Sequence, residues 1–252
     1  MAEVALNSEP IVAAESYWLQ SRQPLASLMF AVPLLLVYEI GVIVLGPYAV
    51  RNGADAWLRL FLDRVGFGQY FLLPALTVGI LAAWHHTMHQ PWRVHGTVFY
   101  GMAAESVLGA VGLRALLQLQ SILMQTAVEP AVQAGQANGA MQWVFQIIRT
   151  RVGYLGAGIY EELLFRLIVL SLLILILRSL RLPTWAGMVI AVLASSLLFS
   201  AAHYVGGREP LVWFSFLFRF IAGVFFALLF LYRGFGITAG AHAGYNILVG
   251  IV

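Results

Sequence analysis

The chain has 252 residues, 61% hydrophobic and 10% charged, with a formal net charge of +3. Soluble domains carry about 25% charged residues, so an ordinary soluble globular protein is excluded, and so small a positive charge gives no reason to expect nucleic acid as a partner. Cysteine is absent, which removes disulfides, thiolate metal sites and cysteine nucleophiles, and every one of the 14 Lys/Arg positions is an arginine.

Residues 1–24 read as a polar or interfacial tail. They carry Glu3, Glu9 and Glu15 against only Arg22, and no apolar run precedes Leu25, so they do not resemble a cleavable signal. Apolar runs then follow one another, several of them beyond the ~18 residues that cross a bilayer. The first covers about 25–45, with Pro33 and Glu39 inside it. The stretch "DAWLRLFLDRVG" (55–66) alternates apolar and charged positions at helical spacing and is expected along the membrane interface. Further spans are expected near 70–84, near 98–124 with Glu105 and Arg114, near 154–177, near 185–202, near 211–232 and from 237 to 252. Residues 125–142 read as a polar loop, and 141–151 as an eighth membrane-associated helix.

The expected fold is therefore all-α: a polytopic transmembrane bundle of seven to eight helices forming one membrane domain over 1–252. Its N-terminal helices and loops occupy 25–142, its core 143–252, and its site lies between the fourth, fifth and last spans. Arginines divide almost evenly between the two sets of loops, so charge does not orient the bundle.

Ionisable groups inside spans are functional candidates, each in need of a partner. The densest set is "GIYEELLFR" (158–166). Glu162 and Arg166 are four apart, on one helix face, with the glutamate N-terminal, the better order for an ion pair. Glu161 is rotated from Glu162 by about 100° and has no local partner. "FSAAH" aligns Phe199 with His203, and "HAGYN" aligns His242 with Asn246, among small residues that let helices approach closely. A carboxylate and a histidine can hold a water between them as a general base. A histidine and an asparagine amide can donate to a developing oxyanion. Together these groups suffice to hydrolyse an amide without a covalent intermediate or a cofactor.

The three patterns Glu-Glu-x-x-x-Arg, Phe-x-x-x-His and His-x-x-x-Asn, on separate spans and in this order, resemble the CPBP family of CAAX proteases and bacteriocin-processing (Abi) enzymes. The resemblance covers about residues 154–250. It implies an intramembrane glutamic endopeptidase in which Glu161 activates water, His203 helps to hold it, and His242 and Asn246 form the oxyanion site. Glu162, Arg166 and Phe199 would support them. The implied partners are the lipid bilayer and a membrane-embedded or lipidated protein or peptide, cut near its C-terminus or next to an apolar segment. The implied location is a bacterial plasma membrane.

Other readings use the same residues. Glu161, His203 and His242 could ligate zinc in a metal-dependent protease, and a scaffold or a proton-coupled transporter would also carry intramembrane glutamate and histidine. Elsewhere structural roles are favoured. Glu39 and Glu105 are expected to pair between helices, for example with Arg114 or Arg219. The cluster His85, His86, His89 and His95 contains the i, i+4 spacing of a zinc pair but no HExxH motif and no cysteine, so no metal is expected there.

Overall fold

The structure is a computed structural model and describes residues 17–68, 70–125, 140–205 and 210–250. Residues 17–21 are helical, followed by α1 (Pro24–Leu45), α2 (Gly53–Arg64), α3 (Leu72–Thr87) and α4 (Gly96–Leu123). Helix α5 (Ala140–Gly156) runs directly into π-helical turns at Ala157–Glu161 and Leu163–Leu170 and leaves them as α6 (Ser171–Ser179). Helices α7 (Thr184–Ala202), α8 (Trp213–Arg233) and α9 (Phe235–Val249) complete the bundle, and no strand occurs among the described residues. Most of the polar loop expected at 125–142, and the N-terminal tail as far as residue 16, lie outside the described residues.

Among the described residues, four helical segments are long and apolar enough to cross a membrane: Pro24–Tyr48, Gly96–Leu123, Thr184–Ala202 and Trp213–Arg233. Their packing is that of a bundle in hydrocarbon. On α1, Leu36, Val37, Ile40, Ile43 and Val44 face outward while Tyr38 and Glu39 are buried. On α7, Val189, Ile190, Leu193 and Leu197 are exposed while Ser195, Ser196 and Ser200 are buried. Contiguous outward apolar faces of this extent mark a surface made for lipid. The polar groups turn inward, where other helices can satisfy them.

The helix expected at 141–151 and the span expected at 154–177 are one continuous helical run. No proline separates them, and Gly156 is held in the run because a side chain there would collide with the Tyr38 ring of α1. The run also widens: a π turn is an uncommon local opening of an α-helix that is frequent at functional sites.

Local geometry then brings the last helices together. Gly234 alone separates α8 from α9, with φ at +83°, a conformation glycine adopts at no steric cost. Helix α9 packs chiefly on α4 through small residues; a side chain at Gly109 would stand 3.0 Å from the Ala241 Cβ. Against the π-helical turns the fit is closer still. A Cβ at Gly158 would lie 2.7 Å from both the Cβ and the backbone nitrogen of Ala243, so only glycine allows α9 this near the helix that carries the two glutamates.

The histidine cluster of residues 85–95 forms no centre. His85 is buried with its ring edge-on to Trp92, the His86 and His89 rings are 6.5 Å apart, and His95 Nδ1 lies 3.0 Å from Gln20 Oε1. Nor do Glu39 and Glu105 pair with Arg114 or Arg219. Glu39 receives Arg59 at 2.9 Å, and Glu105 receives Arg233 at 2.6 Å. Sequence spacing does not reveal which arginine of another helix lies at the same depth. Here the partners come from α2 and from the last turn of α8.

Candidate active site

The π-helical turns present Glu161 and Glu162 to different surroundings. Glu162 is fully buried, and its Oε1 is 2.7 Å from His242 Nδ1. Its Oε2 is 3.0 Å from Arg166 Nε, an ion pair from the same helix whose alignment falls short of a hydrogen bond. This is the i, i+4 pair expected from the sequence. Arg166 is itself buried; its guanidinium lies 4.4 Å from the Phe199 ring centre, and Nη2 donates to the Gly223 carbonyl at 3.3 Å. A buried charge needs such a partner, since removing either member strands the other in a medium of low dielectric.

Glu161 has a different setting. Its Oε2 lies 3.8 Å from His203 Nε2 and 3.8 Å from His242 Nε2. Both distances are too long for a direct hydrogen bond. Both imidazoles are oriented through their other nitrogen. His203 Nδ1 is 2.9 Å from the Phe199 carbonyl, which can only accept, so Nδ1 carries the proton. His242 Nδ1 donates in the same way to Glu162. When the rings are neutral, two bare Nε2 atoms therefore stand equally far from one Glu161 oxygen. Three acceptors facing each other call for a donor between them.

Aromatic rings fix this arrangement. Phe226 stacks on His242 with ring centres 4.5 Å apart and planes at 18°, while Phe199 meets His203 edge-on at 5.0 Å and His242 at 6.1 Å. Phe199 thus touches both imidazoles and the Arg166 cation. Asn246 stands one turn beyond His242 on the same face of α9, half-buried. The structure brings Glu161, Glu162, Arg166, Phe199, His203 and His242 into one contact set. It leaves Asn246 at the margin, without a side-chain hydrogen bond to that set among the described residues.

A cavity of about 140 Å³ opens onto Glu161 and His203, walled by Phe165, Ala202, Val205 and, from α2, Gly53, Ala54 and Trp57. The wall from α2 was not legible as part of the site. The only signal was its amphipathic pattern, which spoke of an interface and not of a catalytic pocket. A larger cavity, about 720 Å³, lies at the other end of the bundle between Arg22, Trp84 and Phe230, away from this constellation. Among the described residues no cluster of three or more His, Cys, Asp or Glu side chains has the geometry of a metal centre.

Residues 142–248 match the family model described as type II CAAX prenyl endopeptidase Rce1-like. The matched stretch holds all three motif pairs, from Glu161 to Asn246, and the match identifies the same CAAX protease family that the sequence resembles. That family is one of peptidases. No curated protein and no solved structure matches the chain.

Proposed function

We propose that this multi-pass membrane protein, whose residues 142–248 match a CAAX prenyl endopeptidase family, is an intramembrane endopeptidase that hydrolyses a peptide bond with glutamate-activated water. The observation that carries the reading is the equal 3.8 Å separation of Glu161 Oε2 from two imidazole Nε2 atoms whose Nδ1 atoms are already committed. A water about 2.8 Å from the Glu161 oxygen and from one of these nitrogens would donate one hydrogen to each. It would face bases only, which is the setting that deprotonates it.

In this reading a proton passes from the water to Glu161 as the oxygen attacks the scissile carbonyl carbon. The carbonyl oxygen becomes an oxyanion, and the Asn246 amide can donate to it. His242 donates from Nε2 only when both its ring nitrogens carry protons; the Glu162 carboxylate against Nδ1 suits that form. Collapse of the tetrahedral intermediate breaks the carbon–nitrogen bond. The proton held by Glu161 goes to the leaving amine, the hydroxyl proton of the intermediate passes to His203, and a carboxylate and an amine leave. Glu162 and Arg166 keep His242 in place and neutralise one another.

The substrate class in this reading is a membrane-bound protein or peptide cut near its C-terminus or beside a lipidated or apolar segment. Helices α3, α9 and the run that carries Glu161 complete the set of membrane helices, and the site opens at the end of the bundle where α2 begins.

The test is purified protein in lipid vesicles with a panel of lipidated C-terminal peptides, beside a comparison of C-terminal peptides in cells carrying wild type or Glu161→Gln. Cleavage by wild type and none by Glu161→Gln is expected. Equal cleavage by both would sink the mechanism. Zinc analysis with chelator treatment separates the metal-dependent version, in which activity is lost to chelation and restored by zinc.

A further inference from the structure

Beside the site lies a second polar network with no part in the hydrolysis just described. Tyr160, the residue before Glu161, is fully buried, and its hydroxyl donates to Glu39 Oε1 at 2.5 Å. The same oxygen accepts from Arg59 Nη2 at 2.9 Å. Arg59 Nε continues to Asp55 Oδ1 at 2.6 Å, and its Nη1 donates to the Tyr70 carbonyl at 2.6 Å. Asp55 is completed by the Tyr38 hydroxyl at 2.7 Å and by Arg51 at 2.8 Å. Two carboxylates face two guanidinium groups, so the network closes on itself without net charge. A charge-balanced, hydrogen-bonded set of this kind is rigid, and each member is costly to move.

Its two ends are the two walls of the cavity. One end is Tyr160, in the π-helical turn whose next residue is Glu161. The other is α2, where Asp55 lies between Ala54 and Trp57, both of which line the cavity. A π turn is a rare local opening of an α-helix that is frequent at functional sites. The Tyr160 hydroxyl on one side and the Glu162 carboxylate on the other are the side-chain hydrogen bonds that flank Glu161 in sequence.

We infer that Tyr160 and Glu39 are positioning residues: Tyr160 bound to Glu39 sets the direction of the Glu161 carboxylate, and Arg59 bound to the same Glu39 holds α2 across the cavity mouth. One carboxylate thus couples the reacting group to the wall that admits substrate. The inference rests on the peptidase reading for its kinetic part and on geometry alone for the coupling.

The test exploits the absence of cysteine. An Ala202→Cys substitution places one thiol in the cavity wall, and its labelling rate with a polar maleimide reports how closely α2 covers the cavity. In vesicles, at a temperature well below the melting transition of either protein, Arg59→Gln is expected to speed labelling several-fold. In the enzyme without the added cysteine, Tyr160→Phe keeps the ring and removes one hydrogen bond. It is expected to lower kcat about tenfold or more with KM within about twofold, since small misplacements of a reacting group are costly. Glu39→Gln, which retains an acceptor for Tyr160, is expected to restore most of kcat relative to Glu39→Leu. Wild-type kinetics for Tyr160→Phe, kcat losses that only follow the melting temperature, or labelling indifferent to Arg59 would each overturn the inference. A preparation with no peptidase activity but with Arg59-dependent labelling would instead count against the proposed function and leave the coupling standing.

Discussion

Glu162 Oε1 lies 2.7 Å from His242 Nδ1, and this one contact joins the helix of the tandem glutamates to the last helix of the bundle. It divides the labour between two adjacent carboxylates. Glu162 is spent on Arg166 and His242, and Glu161 has no partner within hydrogen-bonding distance. Their replacements should therefore fail in different ways.

Glu161→Gln should abolish turnover while the melting temperature in detergent stays near wild type, because the change keeps the side chain's shape and its nearest imidazole nitrogens are 3.8 Å away. Thermal denaturation followed by fluorescence, run beside the peptide assay, checks both halves.

Glu162→Leu or Arg166→Met alone strands a buried charge, for which about 3–5 kcal/mol is the ordinary loss. The double variant Glu162→Leu/Arg166→Met removes both charges and should recover part of that loss, while activity stays low because His242 has lost its acceptor. A double-mutant cycle on unfolding free energy measures the coupling; simple additivity would argue against the pair.

Gly158→Val should separate α9 from the π-helical turns. A Cβ there would stand 2.7 Å from the Ala243 Cβ and 2.8 Å from the Ala239 carbonyl, and backbone has little room to yield. Overpacking of this sort costs about 1–3 kcal/mol. A shift that parts Glu162 from His242 should remove turnover as well. Gly112→Val, where nothing lies within 4 Å, is the matched control and should be close to silent.

Tyr17 gives an alkaline prediction at the opposite end of the bundle. Its hydroxyl donates to Glu105 at 2.6 Å, beside Arg233. Burial pushes it up to about 12 from 10.0, helped by Glu105 and opposed by Arg233. A folded-state value above the unfolded one means the unfolded chain releases its proton first. This part of the stability is complete below pH 10 and is lost as pH rises from 10 towards 12. Melting temperatures across that window should fall less steeply in Tyr17→Phe than in wild type. Identical slopes would show that Tyr17 does not tie residues 17–21 to the bundle.

The residues of the candidate site were legible because each motif is confined to one helix. Glu162 with Arg166, Phe199 with His203 and His242 with Asn246 are all four apart, a spacing that helical geometry turns into a shared face without help from the fold. What crossed between helices was not legible. Arg59 as the partner of Glu39, Arg233 as the partner of Glu105, and Trp57 as a wall of the cavity depend on which helices meet and at what depth. The π turns were also hidden, since the sequence there reads as an uninterrupted apolar helix, and so was the fusion of the 141–151 helix with the span after it.

Those turns have a consequence for the tandem glutamates. A π turn, closed by i→i+5 bonds, takes about one residue more than an α turn, so the faces after it are rotated relative to those before it. Glu161 and Glu162 stand where two such turns meet. The arginine goes to Glu162 by spacing alone, but which carboxylate meets the last helix and which faces two bare nitrogens is a matter of helical phase. The same two letters, read one position over, would trade those two settings.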